Sequence, residues 1–425
     1  MKKFFILITT ALLVFACNPS PDQEPVTEPI QRTVIIYMSG ENDLDSRGFL
    51  NTDLNEIIAG SKDIPQHNRL VAFVDRSSYS QKPYIVEINN GVCDTIQTYQ
   101  SDFYASDPDR FVEVISTIES KFPAKEYGLV LWGHATGWLI TADSVAQSPL
   151  KATAAGRHKA YGMDLGNNQS SGFGERWMNI TQMARAMKQL PHFKFIFADC
   201  CCMMCAEVAY ELRNATDFLI GSPAEIPGDG APYHIWIKNL FLRTDDFYCN
   251  LIDDYYNYYS EEYKTSIYTS DPTVNYLSGH SVPLTVVDMR YMEQLASITK
   301  ELLQSPDSFH TDSVAFYFCL DYPVMYDMGG LMESICTPQA YSKWKQVLNK
   351  AVPYRLFSAK WMTMYPTLED YQRKNKFHFN EDNYAGLSMF VPLAAYNFSR
   401  FYKYNETIPS MQWFNAIGWN RFWEY

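Results

Sequence analysis

The chain has 425 residues, with 35 Lys and Arg against 48 Asp and Glu, a formal net charge of -13 and 47% hydrophobic residues. This composition is typical of a soluble globular protein with a large core, and it excludes disordered and membrane-spanning classes. A general nucleic-acid partner is excluded as well, because neutralising phosphates requires a basic protein face.

The first residues predict an export signal. Lys2 and Lys3 precede an apolar run over 4–15, which is too short to span a bilayer. The run ends in Ala followed by Cys17, a pair typical of bacterial lipoproteins, in which the cysteine is lipidated. We therefore expect a lipoprotein signal peptide over 1–17 and an anchor at Cys17 on a bacterial membrane, periplasmic or at the cell surface. Simple secretion is the alternative.

A tether is predicted next, because residues 18–31 hold four prolines and three acids with almost nothing to bury. The folded part of the chain is expected to begin at residue 32. Four of the nine cysteines crowd together between 200 and 205. This spacing does not indicate a disulfide framework, which a chain of this size does not need.

Short β-rich apolar runs alternate with helical patterns, which favours an α/β fold with a mainly parallel central sheet covered by helices. Strands are predicted at 33–38, 70–74, 127–132, 193–198 and 218–220, and more weakly at 283–287 and 386–391. Helices are predicted after a capping box at 179–182, over 203–213 and over 291–303. The segment 141–177 is rich in small and polar residues without an apolar period, so an exposed loop is expected there.

Two predicted strands end in residues that carry chemistry, at the edge of the sheet where α/β proteins bind ligands. His134 follows strand 127–132 in a Gly-rich turn, and Cys200, Cys201 and Cys202 follow strand 193–198. A helix is predicted to begin at the cysteines, and a helix N-terminus favours the reactive thiolate. A Cys and a His on separate strands are the groups that acyl transfer requires.

Each feature alone has a plainer explanation. A single His in a turn is commonly structural, and a buried Cys is commonly a small apolar residue. Zinc fits poorly, because three consecutive cysteines cannot converge on one ion and no second CxxC follows. The aromatic content of 15% leaves another class open, a non-catalytic surface lipoprotein that binds glycan or peptide through Tyr and Trp.

Several motifs occur in a specific order and spacing. They are TVIIYM at 33–38, ENDL at 41–44, WGH at 132–134, GW at 137–138, DCC at 199–201, AEVAYEL at 206–212, GSPAE at 221–225 and PGDG at 227–230. In this order they resemble the clostripain family of cysteine peptidases, relatives of the caspases, gingipains, legumains and separases. The resemblance implies a caspase-like α/β/α sandwich over 32–270 that contains the 141–177 loop, followed by a C-terminal α+β subdomain over 271–425.

The resemblance also implies roles for single residues. Cys201 matches the family nucleophile and His134 the general acid of a cysteine endopeptidase. The backbone amides of Cys201 and Ala135 would hold the oxyanion. Cys200 and Cys202 are expected to be small core residues, since alternation at the strand end turns them away from the face that Cys201 uses. A reducing agent is expected to be required for activity.

Asp199 and Asp229 match acids of the family's substrate-binding pocket. Two carboxylates in a narrow slot prefer a guanidinium or ammonium group, so cleavage of proteins or peptides after Arg or Lys is expected. The alternative for both residues is a capped turn without a role in binding.

Self-activation is a further expectation from the resemblance, since family members are often matured by a cut between the His and Cys strands. Lys151 and Lys159 are the candidate self-cleavage sites, each followed by Ala in a segment expected to be accessible. The alternative is a surface insertion that is never cut. No cofactor and no metal ligand is assigned. Calcium is needed by some family members, but the sequence has no EF-hand loop to hold it.

Overall fold

The structure is a computed structural model that describes residues 29–78, 80–139, 161–166, 176–262, 281–319, 323–357, 361–362, 381–398 and 404–422. The predicted signal peptide with Cys17, most of the tether, and Lys151 and Lys159 lie outside the described residues. Within the ranges above, no helix has both the length and the apolar character needed to cross a membrane.

A nine-stranded sheet forms the centre of the molecule, with the strand order β13-β10-β9-β8-β5-β1-β2-β3-β4. Its strands are β1 (Arg32–Gly40), β2 (Asn68–Arg76), β3 (Tyr84–Asn89), β4 (Val92–Thr98), β5 (Glu126–Trp132), β8 (Phe193–Asp199), β9 (Thr216–Gly221), β10 (Leu284–Asp288) and β13 (Tyr354–Leu356). The five strands from β9 to β2 are parallel, and the two at each edge are antiparallel. The mainly parallel sheet expected from the sequence is confirmed.

Helices cover both faces of this sheet. They are α1 (Asp43–Ser46), α2 (Phe49–Gly60), α3 (Pro108–Lys121), α4 (Ile180–Met187), α5 (Ala206–Leu212), α6 (Tyr233–Trp236), α7 (Phe247–Glu262), α8 (Met292–Leu302), α9 (Met328–Ile335) and α10 (Pro338–Ala351), with short helical turns at Tyr404–Thr407 and Gln412–Ala416. Strand β1 is buried along its whole length. Its side chains alternate between two cores: Ile35 and Tyr37 pack beneath α3, α4, α5 and α8, and Val34 and Ile36 pack beneath α2, α6 and α7.

Two smaller sheets complete the fold. One has three strands, β11 (Phe316–Cys319), β12 (Pro323–Asp327) and β14 (Ser388–Met389), and the other has two, β6 (Tyr161–Asp164) and β7 (Arg176–Met178). Strand β6 and the first two residues of β7 lie inside the segment 141–177 that was expected to be an exposed loop. That expectation is wrong for Tyr161 and Asp164, which are fully buried. The Tyr161 hydroxyl donates to the carbonyls of Tyr37 and Trp132, at 3.0 and 3.1 Å, and so fastens this segment to the ends of β1 and β5.

The chain after residue 270 also contributes to the main sheet. Strands β10 and β13 extend it beyond β9, and α8 and α10 pack into the same core as α3 and α4. The boundary expected at residue 270 therefore does not separate two cores. The strand predicted weakly over 386–391 is longer than the strand that forms, which is Ser388–Met389.

The predicted capping box at the start of α4 is present, with the Asn179 amide donating to Gln182 Oε1 at 3.0 Å. The helix predicted over 203–213 begins later, at Ala206. The amide of Met204 donates instead to the Ser222 carbonyl at 3.1 Å, and the Met204 carbonyl accepts from Ser388 at 3.1 Å. These long-range bonds hold the first residues of the predicted helix in an extended turn.

Candidate active site

A cavity of about 330 Å³ opens at the carboxyl ends of β5 and β8. Trp132 and Asp199, the last residues of these strands, are paired in the parallel register, so the loops that follow leave the sheet at the same level. His134 from the first loop and Cys201 from the second both line the cavity. The fold thus brings together His134 and Cys201, the two groups predicted to act as a pair.

The loop after β5 holds His134 by backbone shape and by a hydrogen bond to a carboxyl group. Gly133 has φ 144°, and a Cβ there would lie 3.0 Å from the Ser39 carbonyl oxygen, so the turn requires glycine. His134 Nε2 lies 2.6 Å from Asp43 Oδ1. The hydrogen bond from His134 lowers the pKa of Asp43, which remains a carboxylate and orients the imidazole.

Asp43 is placed by the end of β1. It is the first residue of α1, whose cap is Asn42: the Leu44 amide donates to Asn42 Oδ1 at 2.9 Å. Asp43 belongs to the ENDL motif, but the sequence analysis gave it no role. Its place opposite His134 could be found only from the pairing of β1 with β5, in which Met38 lies beside Trp132.

The loop after β8 is held by an unusual backbone conformation. Cys202 has φ 62°, and its amide donates to the Ala224 carbonyl at 2.9 Å. A Cβ at Gly137, which has φ 62°, would lie 2.5 Å from the Cys202 carbonyl oxygen. The loops that carry His134 and Cys201 therefore touch backbone to backbone at this glycine. Cys200 and Cys202 are fully buried, as the sequence predicted.

The thiol of Cys201 lies in surroundings that disfavour its charged form. The Ile226 amide donates to Cys201 Sγ at 3.5 Å. Burial raises the pKa of Cys201 to about 12, with further contributions from the charges of Glu225 and Asp199. The expected activation by a helix N-terminus is wrong, because α5 begins five residues later at Ala206. This state of the molecule holds a thiol rather than a prepared thiolate.

The backbone around Ala135 leaves its amide available. Ala135 and Tyr161 form an isolated antiparallel bridge, in which the Gly162 amide donates to the His134 carbonyl at 2.8 Å. In a bridge of this type the hydrogen bonds lie on either side of the paired residues. The Ala135 amide therefore takes no part in the hydrogen bonds of this bridge.

Asp199 lines the cavity, 3% exposed. Its carboxylate accepts from the Tyr233 hydroxyl at 2.7 Å, the Ala231 amide at 3.1 Å and the Tyr255 hydroxyl at 3.2 Å. Burial raises the pKa of Asp199 to about 6, and these three donors limit the rise. Asp199 is thus largely ionised at neutral pH and places a buried negative charge in the cavity lining.

The second acid beside Asp199 is Asp53 of α2, which the sequence analysis missed. A Cβ at Gly230 would lie 2.9 Å from Asp199 Oδ2 and 3.0 Å from Asp53 Oδ2, so both carboxyls face this glycine. The Trp132 indole donates to Asp53 Oδ2 at 2.5 Å. Burial, and after it the charge of Asp199, raises the pKa of Asp53 to about 9. The sequence analysis predicted no helix over the residues of α2, so it did not indicate a buried acid at this position.

Asp229, the other predicted pocket acid, lies differently. It is exposed and is not among the residues that line the cavity. The acid that does line the cavity on this side is Glu225, whose pKa is raised to about 7 by burial. Glu225 follows the buried turn after β9, and the sequence analysis gave it no role.

The aromatic residues of the described chain are mostly internal. Seven tryptophans are fully buried, and the exposed large hydrophobic side chains within the described ranges are Val92, Ile235 and Phe422. The aromatic excess therefore builds the cores. It gives no support to the alternative of a glycan- or peptide-binding surface.

A caspase-like α/β fold with a Cys and a His at adjacent strand ends defines a cysteine-type peptidase. The family model of the clostripain family matches residues 36–422, and the chain belongs to that family. No curated protein matches significantly.

Solved structures of similar proteins agree with this assignment. A secreted C11 cysteine protease from Bacteroides thetaiotaomicron, in complex with an irreversible peptide inhibitor, is 28% identical, with 92% of this chain and 99% of that chain covered and a TM-score of 0.73. An inactive zymogen C11 protease from Parabacteroides distasonis is 24% identical, with the same coverage and a TM-score of 0.71, and shows the same fold.

Proposed function

We propose that this peptidase is an endopeptidase that cleaves after Arg or Lys and that Cys201 and His134 form its catalytic dyad. The observation that carries the proposal is the cavity lined by both side chains and by the buried carboxylate of Asp199. A basic side chain would enter toward Asp199 and place the next carbonyl carbon beside Cys201 Sγ.

The reaction proceeds through an acyl-enzyme. The proton of the Cys201 thiol passes to His134, and the sulfur attacks the carbonyl carbon to form the C–S bond. The amides of Cys201 and Ala135 stabilise the oxyanion. His134 then gives its proton to the departing amine as the C–N bond breaks, and a water molecule hydrolyses the thioester. Asp43 keeps the imidazole oriented throughout, through its 2.6 Å contact with Nε2.

The preference for a cation follows from the charges of the pocket. Asp199 lines the cavity and is mostly ionised near neutral pH, whereas Asp53 lies beside it outside the cavity lining and, with its pKa at about 9, is largely protonated. A bound guanidinium or ammonium would supply the missing positive charge and favour ionisation of both carboxyls. An acidic side chain before the cut would meet repulsion in a buried site.

Self-activation and lipid anchoring belong to the same proposal. A cut after Lys151 or Lys159 would fall shortly before β6, whose Tyr161 is bonded to the ends of β1 and β5 beside the cavity. New termini there would change the chain next to His134. The anchor at Cys17 rests on the Ala-Cys pair after the apolar run.

Covalent labelling tests the catalytic proposal. A peptidyl acyloxymethyl ketone that ends in Lys or Arg should add once to the wild type, at Cys201 by peptide mass spectrometry. Cys200→Ala should label like the wild type and Cys201→Ala should not label. Labelling only by a probe that ends in Asp would contradict the specificity, and labelling at another cysteine would contradict the nucleophile.

Self-cleavage and anchoring need separate experiments. Purified wild type should convert into two associated fragments with a new N-terminus at Ala152 or Ala160, whereas Cys201→Ala should stay whole. Equal cutting of pure Cys201→Ala would exclude self-activation. In cells, an alkyne fatty acid should label the wild type and not Cys17→Ser; equal labelling of both would place the lipid elsewhere.

A further inference from the structure

Asp199 and Glu225, two acids that line the cavity, differ in their partners. The protein itself satisfies Asp199, whose carboxylate accepts from the Tyr233 hydroxyl, the Ala231 amide and the Tyr255 hydroxyl. Glu225, in the loop after β9, is half-buried in the same cavity. Among the described residues, no donor and no cation contacts its carboxyl group. A carboxylate that is partly removed from water without a partner is unfavourable, and a positive charge from a ligand would relieve it.

The two acids lie apart, and the thiol of Cys201 lies near both. The Ile226 amide, next to Glu225 in the chain, donates to Cys201 Sγ at 3.5 Å. The charge of Glu225, and less strongly that of Asp199, raises the pKa of Cys201 beyond the effect of burial. Burial alone raises the pKa of Glu225, without a contribution from Asp199. Because electrostatic effects fall with distance, the two carboxyl groups are farther from each other than from the thiol. They are therefore suited to two positive charges rather than to one.

Met362 lies beside Glu225 in the cavity. The two residues are partners in an isolated antiparallel β-bridge. Side chains of directly opposed residues stand on the same face, with Cβ atoms about 4.5 to 5.5 Å apart. Met362 is half-buried and lines the cavity as well. An unpartnered carboxyl group is thus next to a flexible apolar side chain, and this combination suits the charged head and the methylene stem of Lys or Arg.

We propose that Glu225 is a second specificity-determining acid, which binds the side chain of the residue immediately before the Arg or Lys at the cut. The preferred substrates are then protein segments with two consecutive basic residues. This inference rests on the proposed function, in which the side chain at the cut enters toward Asp199. The substrate part before the cut stays bonded to Cys201, whereas the amine leaves beside His134. Because Glu225 adjoins the residue that contacts Cys201, the second charge is assigned to the part before the cut.

Kinetics with matched peptides test this subsite. Two coumarin amides that end in Lys-Lys and in Met-Lys differ in one residue and report only the cut after their last residue. Met has about the length of Lys without its charge. The wild type should cleave the Lys-Lys peptide with a kcat/KM about tenfold higher, the effect of about one charged hydrogen bond. Glu225→Gln should bring this ratio close to one, because the amide keeps the shape of the side chain and loses its charge.

A charge exchange provides the second variant. Glu225→Lys should prefer a Glu-Lys peptide to the Lys-Lys peptide, a reversal that a loss of packing alone would not produce. The matched control is Asp229→Asn, which removes an exposed acid from the same loop, outside the cavity lining. This variant should keep the wild-type ratio between the Lys-Lys and Met-Lys peptides.

The outcomes separate this inference from the proposed function. Equal cleavage of the Lys-Lys and Met-Lys peptides by the wild type would overturn the subsite and leave cleavage after Lys intact. A ratio that Glu225→Gln keeps, or that Asp229→Asn loses to the same degree, would overturn the subsite too. If the wild type cleaved no peptide that ends in Lys or Arg, the proposed function itself would be wrong, and this inference with it.

Discussion

The two loops that carry His134 and Cys201 hold these side chains in opposite ways. His134, at the end of β5, is partly exposed and paired with a carboxylate 2.6 Å away. Cys201, at the end of β8, lies among buried residues, and its strongest polar contact is a 3.5 Å bond from the Ile226 amide. The imidazole in the first loop has a carboxylate as its partner, whereas the thiol in the second loop lies in buried surroundings that disfavour its charged form.

This difference bears on when the thiol of Cys201, the proposed nucleophile, becomes reactive. A thiol whose pKa is raised to about 12 has little thiolate at neutral pH, so the enzyme does not carry a prepared ion pair in the described state. The proton must leave as substrate arrives or as the loops rearrange. Because the loops touch at Gly137 and Cys202, a movement of one loop would shift the other.

The largest effect is expected from a substitution that removes the proposed attacking atom. Cys201→Ala should lower peptide hydrolysis by on the order of a thousandfold or more, and His134→Ala should be comparably severe. Rates with a fluorogenic Lys peptide provide the measurement. Cys200→Ala and Cys202→Ala are the controls and should retain most activity. If one of them abolished turnover and Cys201→Ala did not, the wrong cysteine would have been assigned.

The contrast between the loops is tested directly by alkylation. At pH 8 without substrate, Cys201 should react with iodoacetamide about a thousandfold more slowly than an ordinary thiol, because its thiolate fraction is that much smaller. Because the thiolate is the reacting species, each added pH unit below the raised pKa should speed labelling about tenfold. Free glutathione serves as the reference, because partial burial and the charge of Asp94 raise the pKa of exposed Cys93 as well. Rapid labelling of Cys201 at neutral pH would show that the thiolate is already present without substrate. The difference inferred between the two loops would then be wrong.

The pocket provides the next test. Asp199→Asn should reduce discrimination in favour of Arg and Lys by about 2 to 5 kcal/mol, since a buried cation would lose its partner. Profiling with a peptide library measures this loss. Asp229→Asn removes an exposed acid outside the cavity lining and should change discrimination by less than about 0.5 kcal/mol. Equal effects of the two variants would place Asp229 in the pocket after all.

Much of the fold could be predicted because its central strands are buried on both faces and appear as continuous apolar runs. His134 and the run Cys200–Cys202 followed from those strand ends, and the resemblance to the family then selected Cys201. The start of α5 could not be predicted, since Met204 bonds to Ser222 and Ser388, which are distant in sequence. Asp53 was missed for a similar reason: its importance comes from its place beside Asp199, which only the packing of α2 against the sheet creates.

The smallest expected effect concerns Asp43, the residue that distinguishes the histidine loop from the cysteine loop. Asp43→Asn keeps a side chain of the same shape but replaces a charged hydrogen bond, worth about 1.5 to 3 kcal/mol, by a neutral one, so kcat should fall about tenfold. KM should stay the same, because Asp43 acts on His134. Asp45→Asn, in the same helix but paired with Arg76, is the matched control and should keep the wild-type kcat. A rise in KM at constant kcat would place Asp43 in substrate binding, and an unchanged kcat would show that the imidazole is held by the backbone of its loop alone.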